Sequence, residues 1–515
     1  MAPGAQVSRG LAAAVLLALA LVACGGRVVL PIGLVPAAVP SEDMPASLTP
    51  FQPVEDTATL VPAATLQPSS TATQLPPSNL TDLPAAAPVE ARTRYTLNAR
   101  LDYAAHSLRV DEQIAYQNST SEALPSLVLA VEADRWLGCF SLGAVSVISQ
   151  AVTSARMNGI RLEVPLAAPL PPGSHLDLSI RYALRLPQAD IHHVFGYNAV
   201  QADLVDWYPF VVPYVSGRGW LLHPPAQFGE HLVYPSADYD VSLQLSGADQ
   251  TAVFAASGPG ARTGSGWHYH LERARAFAFS ASPDYRTSSL KVGSVTLTSY
   301  YFEAERAAGE AVLQAVAQAL ATYTDRFGAF PYPGLSIVEA LFDDGLECDG
   351  LFFLSRHFYT TYDGTPLNYL IDIGVHETAH QWWFGLVGDD QALEPWLDEA
   401  LATYSEEIFY EANYPAADWW SFRVDAFDPS GWVDTDIYHA AGLRPYINAV
   451  YLRGARFLQA VRERVGDEAF FAFLKDYAAR MGVKIATADD FFRILRQGSG
   501  ADISDLQLAY FQVQH

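Results

Sequence analysis

From about Arg92 to Lys291 the chain alternates hydrophobic and polar residues in short runs. Residues 95–101 (YTLNARL), 126–131 (SLVLAV) and 240–245 (DVSLQL) place every second side chain on one face, the period of half-buried strands. Pro171-Pro172-Gly173 and Gly258-Pro259-Gly260 punctuate these runs as turns. From Val292 the period lengthens to that of a helix. Residues 302–327 form one amphipathic helix and 335–340 a strand, and a helix then runs from 368 to about 386. A second helix starts near Pro395 and ends about 412, followed by helices over 448–465, 467–481, 487–496 and 503–511. Strands first and helices after predict an α+β multidomain chain. Its N-terminal β-sandwich or saddle-shaped sheet domain covers 93–291, and a mostly helical domain covers 292–515.

Residues 25–92, rich in Pro, Ala, Thr and Ser, read as a disordered tether. Before them, Arg9 precedes an apolar run, 11–22, too short for a comfortable membrane span, which ends Leu21-Val22-Ala23-Cys24-Gly25. Residues 1–24 thus resemble a bacterial lipoprotein signal in which Cys24 receives the lipid. A plain secretory signal or an uncleaved anchor is the competing reading. Each places the working protein outside the cytoplasm, on a bacterial membrane if the lipid is attached and secreted if it is not.

The 515 residues carry 31 Lys plus Arg against 56 Asp plus Glu, a net charge of −25. That balance argues against nucleic acid as a partner, because phosphate binding needs clustered positive charge. An acidic cleft suits a substrate carrying a positive amine. Beyond Cys24 there are only Cys139 and Cys348, expected in different domains and read as free thiols.

Chemistry concentrates in 375–399, VHETAHQWWFGLVGDDQALEPWLDE. His376 and His380 stand four apart in an H-E-x-x-H motif, so on a helix both offer a ring nitrogen to one metal ion. Glu377, beside that pair, is placed to take a proton from a metal-bound water. Glu399 follows after eighteen intervening residues, and as a third ligand on the next helix it completes a zinc set with one position left for water. His192-His193 and the pair His268/His270 are read as ordinary histidines, because no carboxylate or thiolate accompanies them at a recognisable spacing.

The H-E-x-x-H-x18-E spacing, the phrase Glu394-Pro395-Trp396-Leu397-Asp398-Glu399-Ala400 and the run Tyr451-Leu452-Arg453-Gly454-Ala455 together resemble the membrane-alanyl-aminopeptidase (gluzincin) family of zinc peptidases. The resemblance implies a thermolysin-like catalytic domain over 292–515, one Zn2+ on His376, His380 and Glu399, and Glu377 as general base. It gives Tyr451 the role of hydrogen-bond donor to the oxyanion of the tetrahedral intermediate. Asp344-Gly345-Leu346-Glu347-Cys348 falls on the family's G-A-M-E-N segment, which makes Glu347 the carboxylate that receives a peptide's free amino group. Asp344 and Cys348 depart from that pattern, and the family's β-domain glutamine finds only a loose counterpart in Gln201. The chain further resembles a short form of the family, without the large C-terminal helical domain.

The expected activity is removal of N-terminal residues from peptides by attack of a zinc-bound water. An extracellular zinc endopeptidase on the same scaffold and a surface binding lipoprotein with a vestigial metal site are the alternatives. A third, an epoxide hydrolase, has no residue pointing to it. The sequence leaves the oligomeric state open.

Overall fold

The computed structural model describes residues 92–247, 252–264 and 266–515. The expected signal, Cys24 and all of the tether but its last residue lie outside them. Strands β1 (Arg94–Asp102), β2 (Ser107–Gln117), β3 (His175–Arg185), β4 (Ala237–Ser246) and β5 (Gly266–Ala274) form the body of an eight-stranded sheet. Its order places β5 beside β4, then β1, β2 and β3, with β1 parallel to β4 and the other pairs antiparallel. In β2 each second residue is buried, as the alternation of SLRVDEQIAYQ requires. Two four-stranded sheets and a two-stranded hairpin complete this half around a core that includes Leu97, Leu178 and Trp207.

The second half is built on a five-stranded sheet. Its strands are β6 (Arg286–Val292), β7 (Val295–Tyr301), β8 (Gly334–Ala340), β9 (Gly345–Cys348) and β10 (Leu351–Ser355), in the order β6-β7-β8-β10-β9. The sheet starts at Arg286, so an expected boundary after 291 falls inside the β6–β7 hairpin. Helix α1 (Arg306–Phe327) joins β7 to β8 and packs its buried Val312, Val316 and Leu320 into the largest core. Short β9 is the sheet's edge strand, paired only with β10, and so lies open on its other side.

Helices α2 (Tyr369–Ala379) and α3 (Trp396–Asn413) carry the H-E-x-x-H motif and Glu399. The Asn368 side chain caps α2 by accepting from Ile371 N–H at 3.2 Å. The helix ends at Ala379, not near 386 as its hydrophobic run suggested. Phe384 takes a left-handed φ of 125°, and the chain turns away over Trp382–Val387. The helix expected over 448–465 is also divided, into α4 (Leu443–Ile447), a π turn over Asn448–Leu452 and α5 (Arg453–Val465). Helices α6 (Asp467–Met481) and α7 (Ala488–Ser499) match their expected positions, and a short helix over Ser504–Tyr510 follows. Among the described residues no helix is long and apolar enough to cross a membrane.

Candidate metal centre and active site

Helix α2 puts His376 and His380 on one face, and α3 brings Glu399 back against them. The His376 and His380 Nε2 atoms are 3.1 Å apart, and Glu399 Oε2 lies 3.3 Å from the first and 3.6 Å from the second. Ligands about 2.0–2.2 Å from a tetrahedral zinc stand about 3.3–3.6 Å from one another, so the three atoms already form one face of such a site. Both outward nitrogens are engaged elsewhere. His376 Nδ1 lies 2.7 Å from Glu406 Oε1, and His380 Nδ1 lies 2.8 Å from the Trp383 carbonyl. These contacts orient the rings so that each Nε2 faces the shared point. Glu399 Oε2 is buried and accepts no hydrogen bond, an orphan that a cation at that point would satisfy. The donor set fits zinc.

The surrounding charges act differently on the three groups. At His380 burial opposes charge, but the carboxylates of Glu347, Glu399 and Glu377 outweigh it and hold the imidazole well above its ordinary range, a positive charge that a metal ion would replace. Burial lowers His376 to about 4, which keeps the imidazole neutral, the form that binds metal. Burial opposes charge on Glu399, but the two imidazoles outweigh it and draw the carboxyl down to about 2.

Glu377 is buried beside the histidines, and its Oε2 has no hydrogen-bond partner. Burial, with the carboxylates of Glu347, Glu399 and Asp344, pushes it well above the ordinary range against the pull of His380. A buried carboxyl whose affinity for a proton is raised is suited to accept and return one. Gly345 on β9 packs directly on Glu377 Oε1, and a side chain there would have no room.

Edge strand β9 delivers Glu347. One oxygen or nitrogen atom each from Glu347, Glu377 and His380 falls within a mutual 4.8 Å, so the expected amine-binding carboxylate and the expected base meet at one spot. Gln391 bridges Glu347 Oε1 and Asp398 Oδ2 with its amide, at 3.0 Å to each. Tyr451 lies in the π turn, a local widening of the helix that recurs at functional sites, and its hydroxyl donates to Glu399 Oε1 at 2.6 Å.

The remaining sequence candidates separate. Asp344 is half-buried near the site, with one oxygen accepting from the Gly345 N–H at 2.8 Å. Cys348 is buried in an apolar cluster with Val338, Ala340 and Phe353. Cys139 and Cys348 are both free and buried. Gln201 is buried in a separate network, donating to Asp203, Tyr285 and the Glu339 carbonyl. His270 and His268 have carboxylate neighbours after all. Asp240 lies on adjacent β4, 2.9 Å from His270, a contact that only strand register reveals, and Glu272, two residues on along the same strand, is 3.3 Å away. These histidines lie on the exposed face of the large sheet.

Sequence reasoning missed the supporting shell. Glu406 binds His376 and also accepts from Arg423 at 2.9 Å and Trp419 at 3.1 Å, and Asp372 pairs with the same guanidinium at 3.1 Å. It stands seven residues after Glu399, two helical turns on the same face, which is the one signal that marked it. Gln391, Asp398 and the half-buried Glu230 of the β half had no comparable signal.

Residues 313–510 match the Peptidase family M1 domain. Curated relatives include Aminopeptidase M1-B of Oryza sativa subsp. japonica, 27% identical over 149 residues, which is 27% of this chain and 17% of that protein. Aminopeptidase N of Streptomyces lividans is 26% identical over 152 residues, 27% of this chain and 18% of its own length. The chain thus spans well under a third of the length of these relatives. Among solved structures, an M1 zinc metallopeptidase mutant from Deinococcus radiodurans aligns with a TM-score of 0.59 and 20% identity, covering 82% of this chain and 95% of that one. The same enzyme bound to a Tyr-Ser-Ala substrate aligns equally well, over 82% and 94%. The family resemblance carried by the motifs therefore extends to the domain match and to the two-domain fold.

Proposed function

We propose that this chain, a relative of the family M1 peptidases, is a zinc-dependent aminopeptidase that removes N-terminal residues from peptides. The observation that carries the reading is the convergence of Glu347, Glu377 and His380 within 4.8 Å, beside the His376–His380–Glu399 set. That proximity supports reading Glu347 as the carboxylate that receives an ammonium, one short step from the proposed base and a proposed metal ligand.

His376, His380 and Glu399 would hold the zinc, with Glu406 and the Trp383 carbonyl fixing the two imidazoles. Zinc, when bound, supplies a Lewis acid that acidifies water and polarises the scissile carbonyl. Glu377 takes the proton from the attacking water and passes it to the departing amine. Tyr451 swings its phenol from Glu399 to the oxygen that gains charge, and burial keeps that phenol protonated. Glu347 pairs with the substrate's ammonium, so the first peptide bond is the one presented to the base. Stripping zinc with a chelator should abolish release of the first residue from an unblocked tripeptide, and one equivalent of zinc per chain should restore it. Full turnover after stripping contradicts the reading.

The location is proposed from the N-terminal sequence. Leu21-Val22-Ala23-Cys24 supports lipid attachment at Cys24 and an extracytoplasmic, membrane-anchored enzyme. Labelled fatty acid should enter the wild-type protein and not Cys24→Ser, and equal labelling excludes that anchor.

A further inference from the structure

Arg275 belongs to the β half, directly after β5, yet four of the five carbonyls its guanidinium binds belong to the other half of the molecule. It is 2% exposed. Its Nε donates to the carbonyls of Phe384 at 2.5 Å and Gly385 at 3.1 Å. One terminal nitrogen donates to Leu386 at 3.2 Å and Lys484 at 2.7 Å, and the other to Tyr234 at 2.8 Å. Gly388 packs flat against the guanidinium and leaves no room for a side chain.

Three of these carbonyls, those of Phe384, Gly385 and Leu386, belong to the turn that follows α2. The same turn holds a metal ligand in place. The Trp383 carbonyl binds His380 Nδ1, and Gly385 N–H returns to the His380 carbonyl at 2.9 Å. The next residue of the β half holds the other side of the site. Ala276 N–H donates to Asp349 Oδ2 at 2.8 Å, and Asp349 follows β9, two residues beyond Glu347. Residues Arg275 and Ala276 therefore touch both the turn that orients His380 and the strand that presents Glu347.

We infer that Arg275 is a positioning residue of the metal centre, through which the β half fixes the His380 imidazole and its spacing from Glu347. Five carbonyls fanned around one planar fork demand a guanidinium, because a lysine ammonium cannot reach them together. Without it the 384–386 carbonyls lose their donor and the Trp383 carbonyl loses its fixed direction. The inference rests on the proposed zinc site but not on the peptidase activity.

The test measures the zinc dissociation constant of the full chain by competition with a chromophoric chelator, together with Tm and the turnover of zinc-saturated protein. Arg275→Lys and Arg275→Gln should weaken zinc binding by about 10–100-fold, the range seen when support for a metal ligand is removed. Leu178→Ala, a core truncation in the large sheet far along the sequence from the joint, serves as control: it should lower Tm and leave zinc affinity unchanged. If the Arg275 variants do not fold, Gly388→Ala, which displaces the guanidinium while keeping it, should weaken zinc in the same direction. Wild-type zinc affinity in a folded Arg275 variant, or in Gly388→Ala should that variant alone fold, overturns the inference. So does a loss matched by Leu178→Ala at equal loss of Tm. Wild-type protein that binds no zinc would overturn the metal site itself, an outcome separate from these.

Discussion

His376 Nδ1 and Glu406 Oε1 stand 2.7 Å apart in a fully buried contact, two helical turns beyond the proposed metal ligand Glu399. The carboxylate fixes the imidazole's tautomer and balances Arg423, which also pairs with Asp372. Glu406→Gln should therefore weaken zinc binding by about 10–100-fold. It should also lower stability by about 3–5 kcal/mol, because a buried ion network loses one of its anions. Chelator competition and thermal unfolding check the two effects separately, and unchanged zinc affinity would deny Glu406 its orienting role.

Glu377→Gln should retain a full equivalent of zinc and lose about 10²–10⁴-fold in turnover, because the amide keeps the shape of the side chain and cannot accept the proton. Metal analysis alongside single-turnover kinetics decides it. Turnover near the wild-type rate in zinc-loaded protein would remove Glu377 from the mechanism.

Tyr451 donates to Glu399 in the resting site and is assigned to the oxyanion during the reaction. Tyr451→Phe should cut kcat by about 10²–10³-fold with a small change in KM. A large change in zinc content with kcat per bound zinc preserved would show instead that the phenol only supports Glu399.

Glu112 is a stability prediction away from the site. It is buried on β2 beside Tyr182, and burial raises its pKa well above that of a free carboxyl against the opposing hydrogen bond from that phenol. The folded protein then binds a proton that the unfolded chain has released, so stability falls as pH climbs above the unfolded value toward the folded one. Glu112→Gln should raise stability by on the order of 1–3 kcal/mol at pH 8 and by less at pH 5. Chemical denaturation at the two pH values tests this, and an equal effect at both would mean that the carboxyl does not titrate on unfolding.

The ligand set was legible because its information is local. His376, Glu377 and His380 share one helical turn, and Glu399 lies at a spacing that only a second helix need satisfy. The alternation of β1 and β4 likewise announced strands. What could not be read depends on where separate segments meet. Asp240 becomes a partner of His270 only through the register of β4 against β5. Gln391 joins Glu347 to Asp398 across three segments, and Arg275 reaches the turn after α2 from the other half of the chain. The end of α2 was misplaced because Trp382, Trp383 and Phe384 extend its apolar run while the backbone has already turned. Their burial satisfies the core without a helix. Tyr451 was placed by family resemblance alone, since an apolar helix face explains a buried tyrosine equally well.

The central claim is that this zinc site works from a free N-terminus. The direct test gives purified protein of measured zinc content one peptide, unblocked and acetylated, and follows the products by mass. The account predicts stepwise loss of single N-terminal residues from the unblocked peptide only, and Glu347→Ala should weaken that reaction alone. Internal cuts in both peptides would contradict it and make the enzyme an endopeptidase on the same scaffold. Intact peptides with zinc bound would leave a binding protein.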